Sequence, residues 1–372
     1  MALKLFGDHP RSSMRTSYAV VVYLACLLAA ATALLPLLEV DWWWVRIGDF
    51  PRLQLLIAYL VVMLLLLPLI RRPLGIVALV GMVFACGIQL VWIHSYLPIA
   101  TKQVQDARRH DLNNRLRLMS TNVLQTNTRY QALLDSVAKH SPDVLVLCEV
   151  DQRWIEALKP LEQSFAFHLL QPQDNGYGIA FYSNLRVLSA EVRHFVKQDI
   201  PSIDARVQLP SGTEVRIFAV HPNPPRPGED TTKRDAETVL VGREAKATDV
   251  PVIVMGDLND VGWSSTTDLF QEVSGLLDPR VGRGFYSTFD ADSWIWRYPL
   301  DYLFHSDEFR LVKLAVLEHV GSDHFPLLVE LSYEPDAAAV QEGPDLDPGD
   351  QQDAQESVEA AKEIDPASPS PE

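Results

Sequence analysis

Five short polar motifs, each at the end of an apolar run, hold the residues of this chain best suited to chemistry. In order they are S-T-N at 120–122, C-E-V at 148–150, G-D-L-N at 256–259, P-L-D-Y at 299–302 and G-S-D-H at 321–324. The runs beside them, 116–119, 144–147, 252–255, a short one around Leu300 and 316–320, read as strands. Strand ends can converge, and these would gather Glu149, Asp257, Asp301, Asp323, Asn122, Asn259 and His324. Such a set suits a site that binds a hard divalent cation and hydrolyses a phosphate ester. Mg²⁺ takes oxygen ligands and keeps several waters, so one or two carboxylates suffice.

Taken singly, each motif has a plainer reading beside the chemical one. Glu149 closes an all-apolar strand, where a carboxylate either meets a ligand at the sheet edge or is merely solvated. Asp257 and Asn259 are two apart, and in extended backbone i and i+2 face the same way. Asp257 could then orient or deprotonate a water while Asn259 donates to charge developing on phosphate oxygens. The competing reading is an Asx turn, which Asp and Asn favour. His324 is a titratable donor near neutral pH, and Asp301 could accept from its other ring nitrogen and fix the tautomer.

The elements that must position these groups are legible in outline. Strands are expected at 116–122, 144–148, 206–209, 214–220, 252–255, 311–317 and 327–331. P-S-G-T at 210–213 marks a hairpin, and helices are expected at 130–139 and 232–247. Hairpins mixed with strand–helix–strand units suit a two-sheet core with helices outside better than a doubly wound sheet.

In chain order, Asn122, Glu149, His221, G-D-x-N at 256–259, L-D-Y at 300–302 and S-D-H at 322–324 resemble the endonuclease/exonuclease/phosphatase superfamily. The resemblance spans about 115–332. It implies an α/β fold, a four-layered sandwich of two packed mixed sheets flanked by helices, and a Mg²⁺- or Mn²⁺-dependent hydrolase of phosphate esters. Glu149 would be the principal metal carboxylate, with Asn122 and Asp323 beside it. Asp257 would handle the nucleophile and Asn259 the phosphate. His324, oriented by Asp301, and His221 would contact the phosphate, with Asn223 a weaker candidate. Leu124 stands two after Asn122, where apurinic endonucleases carry an Asp. The compact module also leaves little room for insertions that read damaged DNA.

The first 93 residues read as a membrane module with spans at about 18–40, 53–70 and 74–93. A span needs about 20 apolar residues, and the indoles of Trp42, Trp43 and Trp44 favour the headgroup level. Lys4, Arg11, Arg15, Arg71 and Arg72 flank the spans so that the positive-inside rule puts the N-terminus in the cytoplasm and the hydrolase outside it, across an inner (plasma) membrane. Lys102, Arg108 and Arg109 argue weakly the other way. The spans hold almost no ionisable residues, which disfavours a transporter. A polar connector is expected at 94–114 and an acidic disordered tail at 333–372.

The chain carries a net charge of −16. Residues 115–332 hold 21 basic and 30 acidic side chains, a net −9. That weakens a reading as an avid nucleic-acid binder, whose affinity comes from cations meeting phosphates. A lipid-linked or small phosphodiester is therefore the expected substrate, with DNA the alternative and a noncatalytic membrane scaffold the alternative of another class. The bilayer is the expected partner, and no protein partner is implied. Cys26, Cys86 and Cys148 form no metal or disulfide pattern.

Overall fold

A computed structural model describes residues 9–364 apart from 39, 41, 227 and 229. Lys4 and the end of the expected tail, 365–372, lie outside the described residues. The chain divides into two compact units, one of Met1–Val40 with Trp44–His94, the other of Asp41–Trp43 with Ser95–Glu372.

Three helical stretches are long and apolar enough to cross a membrane, Ser13–Leu37, Arg52–Leu69 and Pro73–Tyr96; all but the last two residues of the third lie in the first unit. Their boundaries lie within a few residues of the expected spans, except that the first begins earlier. A polar thread links the three helices from inside. Thr32 Oγ1 lies 2.8 Å from Tyr59 Oη, Gln89 donates to Tyr59 at 3.4 Å, and Arg52 donates to Gln89 at 3.5 Å. Arg52 also pairs with Asp49 and lies 4.4 Å over the Trp92 ring. Polar groups in apolar helices pair with one another because lipid offers no partner.

The second unit is built on two mixed sheets. The first holds β1 (Arg115–Asn122), β2 (Val144–Cys148), β3 (Phe167–Gln171), β4 (Ile179–Ser183), β10 (Phe309–Val316) and β11 (Leu327–Tyr333), in the order β10-β11-β1-β2-β4-β3. The second holds β5 (Arg186–Arg193), β6 (Ser202–Gln208), β7 (Glu214–Val220), β8 (Val252–Asp257) and β9 (Asp301–His305) in sequence order. Among the described strands, β1–β2 and β7–β8 pair in parallel, and the helices Tyr130–His140 and Thr232–Lys246 make the two crossovers.

Strand periodicity sorts the core into layers. Val144, Val146 and Cys148 of β2 and Ile253 and Met255 of β8 face the space between the sheets. Leu145 and Leu147 instead pack with Leu133, Val137 and Trp154 of the helices on the first sheet. Val252 and Val254 pack with Val239, Phe270 and other residues of the helices on the second. The result is helix, sheet, sheet, helix, as the resemblance implied.

Two expectations need correction. Asp301 opens β9 and Ser322–His324 precede β11, so these motifs stand at strand starts rather than ends. Both strands run antiparallel to their neighbours, with Asp301 opposite Asp257 and Leu327 opposite Ser120. A strand start therefore reaches the same edge as the ends of β1, β2, β7 and β8.

Residues 95–114 of the connector pack within the second unit. Tyr96 and Val104 are buried, and Tyr96 donates to the Gly262 carbonyl at 2.7 Å. Asp106 forms a bridge with Leu311, whose N–H donates to the Gln105 carbonyl at 2.9 Å.

The tail carries a helix, Pro348–Ile364. Ala354, Val358 and Ala361 recur at helical spacing and are buried in the layer that holds Phe270. Ahead of it, buried Glu334 accepts from the Arg108 and Arg109 amides at 3.1 and 3.0 Å and pairs with buried Arg310 at 3.2 Å. The overall polarity of the segment hid a narrow apolar stripe. Val358→Asp should therefore lower stability by about 2 kcal/mol or more, because it buries an unpaired charge. In a free tail the same change would shift the unfolding midpoint by about 0.5 kcal/mol or less in equivalent stability. Denaturant unfolding of the full chain in detergent separates the two outcomes.

Candidate active site

The site lies at the mouth between the two sheets, where inward-facing strand positions run out of apolar residues. On β1 the inward row Leu116 and Leu118 continues to Ser120 and Asn122; on β8, Ile253 and Met255 lead to Asp257; on β7, Ile217 and Ala219 lead to His221 just beyond the strand. Both parallel pairs thus deliver polar groups at their carboxyl ends, where α/β sheets commonly bind ligands.

Asp257 is fully buried and sits at the centre. Asn122 Nδ2 donates to Asp257 Oδ2 at 3.1 Å and to Glu149 Oε1 at 2.9 Å, so one amide ties a carboxylate of each sheet. The Asn122 oxygen accepts from Leu124 N at 3.0 Å, which sets the amide orientation, since the flipped form would place two donors face to face. Glu149 Oε2 accepts from Gln125 N at 3.1 Å. Glu149 itself has φ 64°, Leu124 φ 56° and Asn259 φ 55°, all left-handed.

Asp257 Oδ1 accepts from Asn259 N at 3.0 Å, which is an Asx turn. The two side chains consequently do not lie side by side as in extended backbone. Asn259 instead donates from Nδ2 to the Pro222 carbonyl at 3.0 Å, leaving its second amide N–H. Gly256 is required here: φ is 142°, and a Cβ would stand 2.0 Å from the Val220 carbonyl oxygen.

His324 and His221 approach Asp257 Oδ2 with Nε2 at 3.6 and 3.7 Å. His324 Nδ1 lies 2.8 Å from Asp301 Oδ2, which assigns the Nδ1 proton to that bond. Burial pulls the His324 imidazolium down, but the charges of Asp301, Asp257 and Asp323 and the hydrogen bond to Asp301 outweigh it and hold its pKa at about 10. His324 is then a charged donor at neutral pH. Ser322 Oγ donates to the Asn122 carbonyl at 2.7 Å and accepts from His324 N at 3.0 Å, so the S-D-H motif is tied to the end of β1.

Several supporting residues were not foreseen. Thr288 Oγ1 accepts from Asp301 N at 3.2 Å, and the Phe289 ring lies 4.9 Å from the His324 ring. Tyr177 bonds through its hydroxyl to Asn223 and lies 5.6 Å from the His221 ring. Buried Arg234 donates to the Asn259 carbonyl at 3.2 Å and pairs with Asp260 at 3.0 Å, bracing the turn from below. None falls in a polar motif, and only the S in S-D-H gave a signal. Burial pushes the Cys148 thiol well up, leaving it an inert core residue.

Among the described residues, no group of three or more His, Cys, Asp or Glu is arranged to cage a metal ion. The donor chemistry nonetheless fits a hard cation. Glu149 and Asp323 supply carboxylate oxygens, and burial and then the Glu149 and Asp257 charges push Asp323 up despite the counter-charge of His324. A Mg²⁺ that keeps its waters needs no closed cage. Glu149 and Asp323 would hold it. Asn122, expected among the metal ligands, turns its Nδ2 donors rather than its oxygen toward Glu149 and Asp257.

The sequence model of the Endonuclease/Exonuclease/phosphatase family matches residues 116–324, more than half of the chain. No curated protein matches the sequence. Among solved structures, D. rerio TDP2 complexed with single strand DNA product is similar at 19% identity and TM-score 0.51, over 59% of this chain and 99% of that one. A D. rerio TDP2 humanized by 14 mutations gives 19%, 0.50, 59% and 99%. The human Nocturnin catalytic domain with bound sulfate gives 18% and 0.47, over 64% and 99%. At these identities the TDP2 likeness speaks to fold alone.

The Asp301–His324 bond predicts non-additive losses. Asp301→Asn and His324→Ala should each slow turnover of bis-p-nitrophenyl phosphate, and the double variant should be no slower than His324→Ala alone. Residues in direct contact typically couple by about 0.5–3 kcal/mol. Full additivity in the double-mutant cycle would show that Asp301 does not act through His324.

Proposed function

The chain belongs to the endonuclease/exonuclease/phosphatase family, and we propose that it is a membrane-anchored, divalent-metal-dependent phosphoesterase that hydrolyses a phosphodiester or phosphomonoester by attack of water. The observation that carries this reading is a fully buried Asp257 faced by two imidazoles and joined through Asn122 to Glu149. A noncatalytic scaffold has no use for that costly arrangement.

In this reading Asp257 accepts the proton of the attacking water and aims its lone pair at phosphorus. His324, charged and oriented by Asp301, donates from Nε2 to a phosphate oxygen as negative charge builds there. His221 contacts the same phosphate, and the second N–H of Asn259 donates to another of its oxygens. Mg²⁺ or Mn²⁺ held by Glu149 and Asp323 would supply Lewis-acid stabilisation of the phosphoryl charge. Asp257→Asn should cost roughly 10² or more in turnover, the usual scale of general-base catalysis.

The three apolar helices support anchoring in a bilayer. The net −9 of residues 115–332 favours a lipid-linked or small phosphodiester over DNA. DNA cleavage is the competing reading. TDP2 from D. rerio, which shares the fold, was solved with a single strand DNA product.

Two measurements test the proposal. Glu149→Gln should retain the fold but lose most activity, and EDTA should abolish wild-type activity until Mg²⁺ or Mn²⁺ is restored; a wild-type enzyme fully active in EDTA would falsify the metal assignment. Phospholipid vesicles and plasmid DNA, compared at matched Mg²⁺ and low salt, separate the substrates: nicking without headgroup release reverses the preference. Orientation is read from a reporter fused after Glu372. Alkaline phosphatase should be active there and green fluorescent protein dark if the hydrolase faces away from the cytoplasm.

A further inference from the structure

One loop of the second unit breaks the usual rule for a surface in water. Trp294 is 86% exposed, Trp296 53% and Ile295 48%, all on consecutive positions. The loop holds this shape through its own bonds. Ser293 Oγ accepts from Trp296 N at 2.9 Å, Arg297 Nε donates to the Ser293 carbonyl at 2.6 Å, and Asp290 Oδ1 accepts from Asp292 N at 2.9 Å. Below the tip, Thr288 N and Phe289 N both donate to the Tyr298 carbonyl at 3.0 Å.

The base of the loop is part of the site. Phe289 bridges to His324 through the backbone, and Ala291 N donates to the Asp323 carbonyl at 2.6 Å. Thr288 supports Asp301. A loop held by its own hydrogen bonds therefore presents two indoles at its tip while its base braces the groups assigned to the phosphate.

We propose that Trp294, Ile295 and Trp296 dock this loop on a phospholipid bilayer surface, setting the adjacent site against a lipid-borne phosphoester. The inference rests on the reading of the protein as a membrane-anchored phosphoesterase. Indoles settle at headgroup level, where one edge is apolar and the other wet. The same chain carries three helices long and apolar enough to cross a bilayer. Indoles also stack on nucleobases, but Asp290 and Asp292 flank this tip within a unit of net negative charge, which opposes a polyanion.

Indole fluorescence of the full chain in phosphatidylcholine vesicles tests the proposal without any need for activity. Subtracting the emission of a Trp294→Phe/Trp296→Phe variant from that of the wild type isolates the two indoles. Their emission should be blue-shifted and quenched by lipids carrying a nitroxide near the headgroup. Emission typical of water, quenched by iodide but not by lipid nitroxide, overturns docking; so does quenching by neither, which indicates cover by a second protein surface, or quenching only on addition of an oligonucleotide. Trp294→Phe alone repeats the test should the double variant misfold. In a second arm, Trp294→Ser/Ile295→Ser/Trp296→Ser should lower turnover of a vesicle-embedded phosphoester at least tenfold, and an unchanged rate overturns the functional half. A protein that docks yet hydrolyses nothing refutes the phosphoesterase reading and leaves the docking intact.

Discussion

A carboxylate buried where two sheets meet is the constraint on which the rest of the structure depends. Asp257 is fully buried within its own chain, and an isolated ionised carboxylate in such a place would be prohibitive. Its partners come from separate parts of the fold: Asn122 from the first sheet, the Asn259 amide from its own turn, and imidazoles from the ends of β7 and from the segment before β11. Each partner fixes a piece of geometry. Asn122 requires the sheets to close on each other at this edge. The Asx turn requires the chain to reverse directly after β8. His221 follows Val220, which is paired with Gly256, and that pairing admits no side chain at residue 256.

Holding these groups in place strains the backbone. Glu149, Leu124 and Asn259 all take left-handed φ, which costs an L-residue with a Cβ about 1–2 kcal/mol. Asn tolerates the region, whereas Glu and Leu have no such excuse. For Glu149 the compensation is visible: both carboxylate oxygens are bonded, one to Asn122 and one to Gln125 N. The left-handed turn ends β2 and redirects the carboxylate from the strand's path toward the site. Strain gathered at the ends of β1, β2 and β8 is what a pre-organised site requires.

The sequence was most readable where one physical signal dominated. Apolar runs located β2 to the residue, and G-D-L-N and S-D-H marked the two turns that meet at the site. What failed to show had mixed signals. β5 is half exposed and reads R-V-L-S-A-E-V-R, so charged side chains mask its pairing. Among its described side chains, the helix Pro348–Ile364 buries two alanines and one valine among acidic residues, and composition outweighed spacing. Thr288, Phe289 and Tyr177 belong to no polar motif and act through tertiary contacts alone. The expectation of extended backbone through Asp257 and Asn259 failed for a local reason. The Asp side chain competed for the Asn amide and won.

The charge pattern of the site has a consequence for stability as well as chemistry. Among the described residues, no Lys or Arg stands within 4.0 Å of Glu149, Asp257, Asp301 or Asp323; the basic side chains at that distance are the imidazoles of His221 and His324 beside Asp257 and of His324 beside Asp301. Guanidinium pairs are plentiful elsewhere, as in Arg216–Asp204 at 2.6 Å and Arg280–Asp278 at 2.7 Å, so the fold can make them. A fixed cation at the site would neutralise the carboxylates permanently and compete with any ion or phosphate that entered. Leaving the cluster under-neutralised instead keeps it responsive, and His324 retains its proton because the surplus charge favours it. Any cation that binds the folded site but not the unfolded chain then adds stability in proportion to the logarithm of its concentration above its dissociation constant. The same crowding of carboxylates that is costly by itself is what would draw a hard cation to the site.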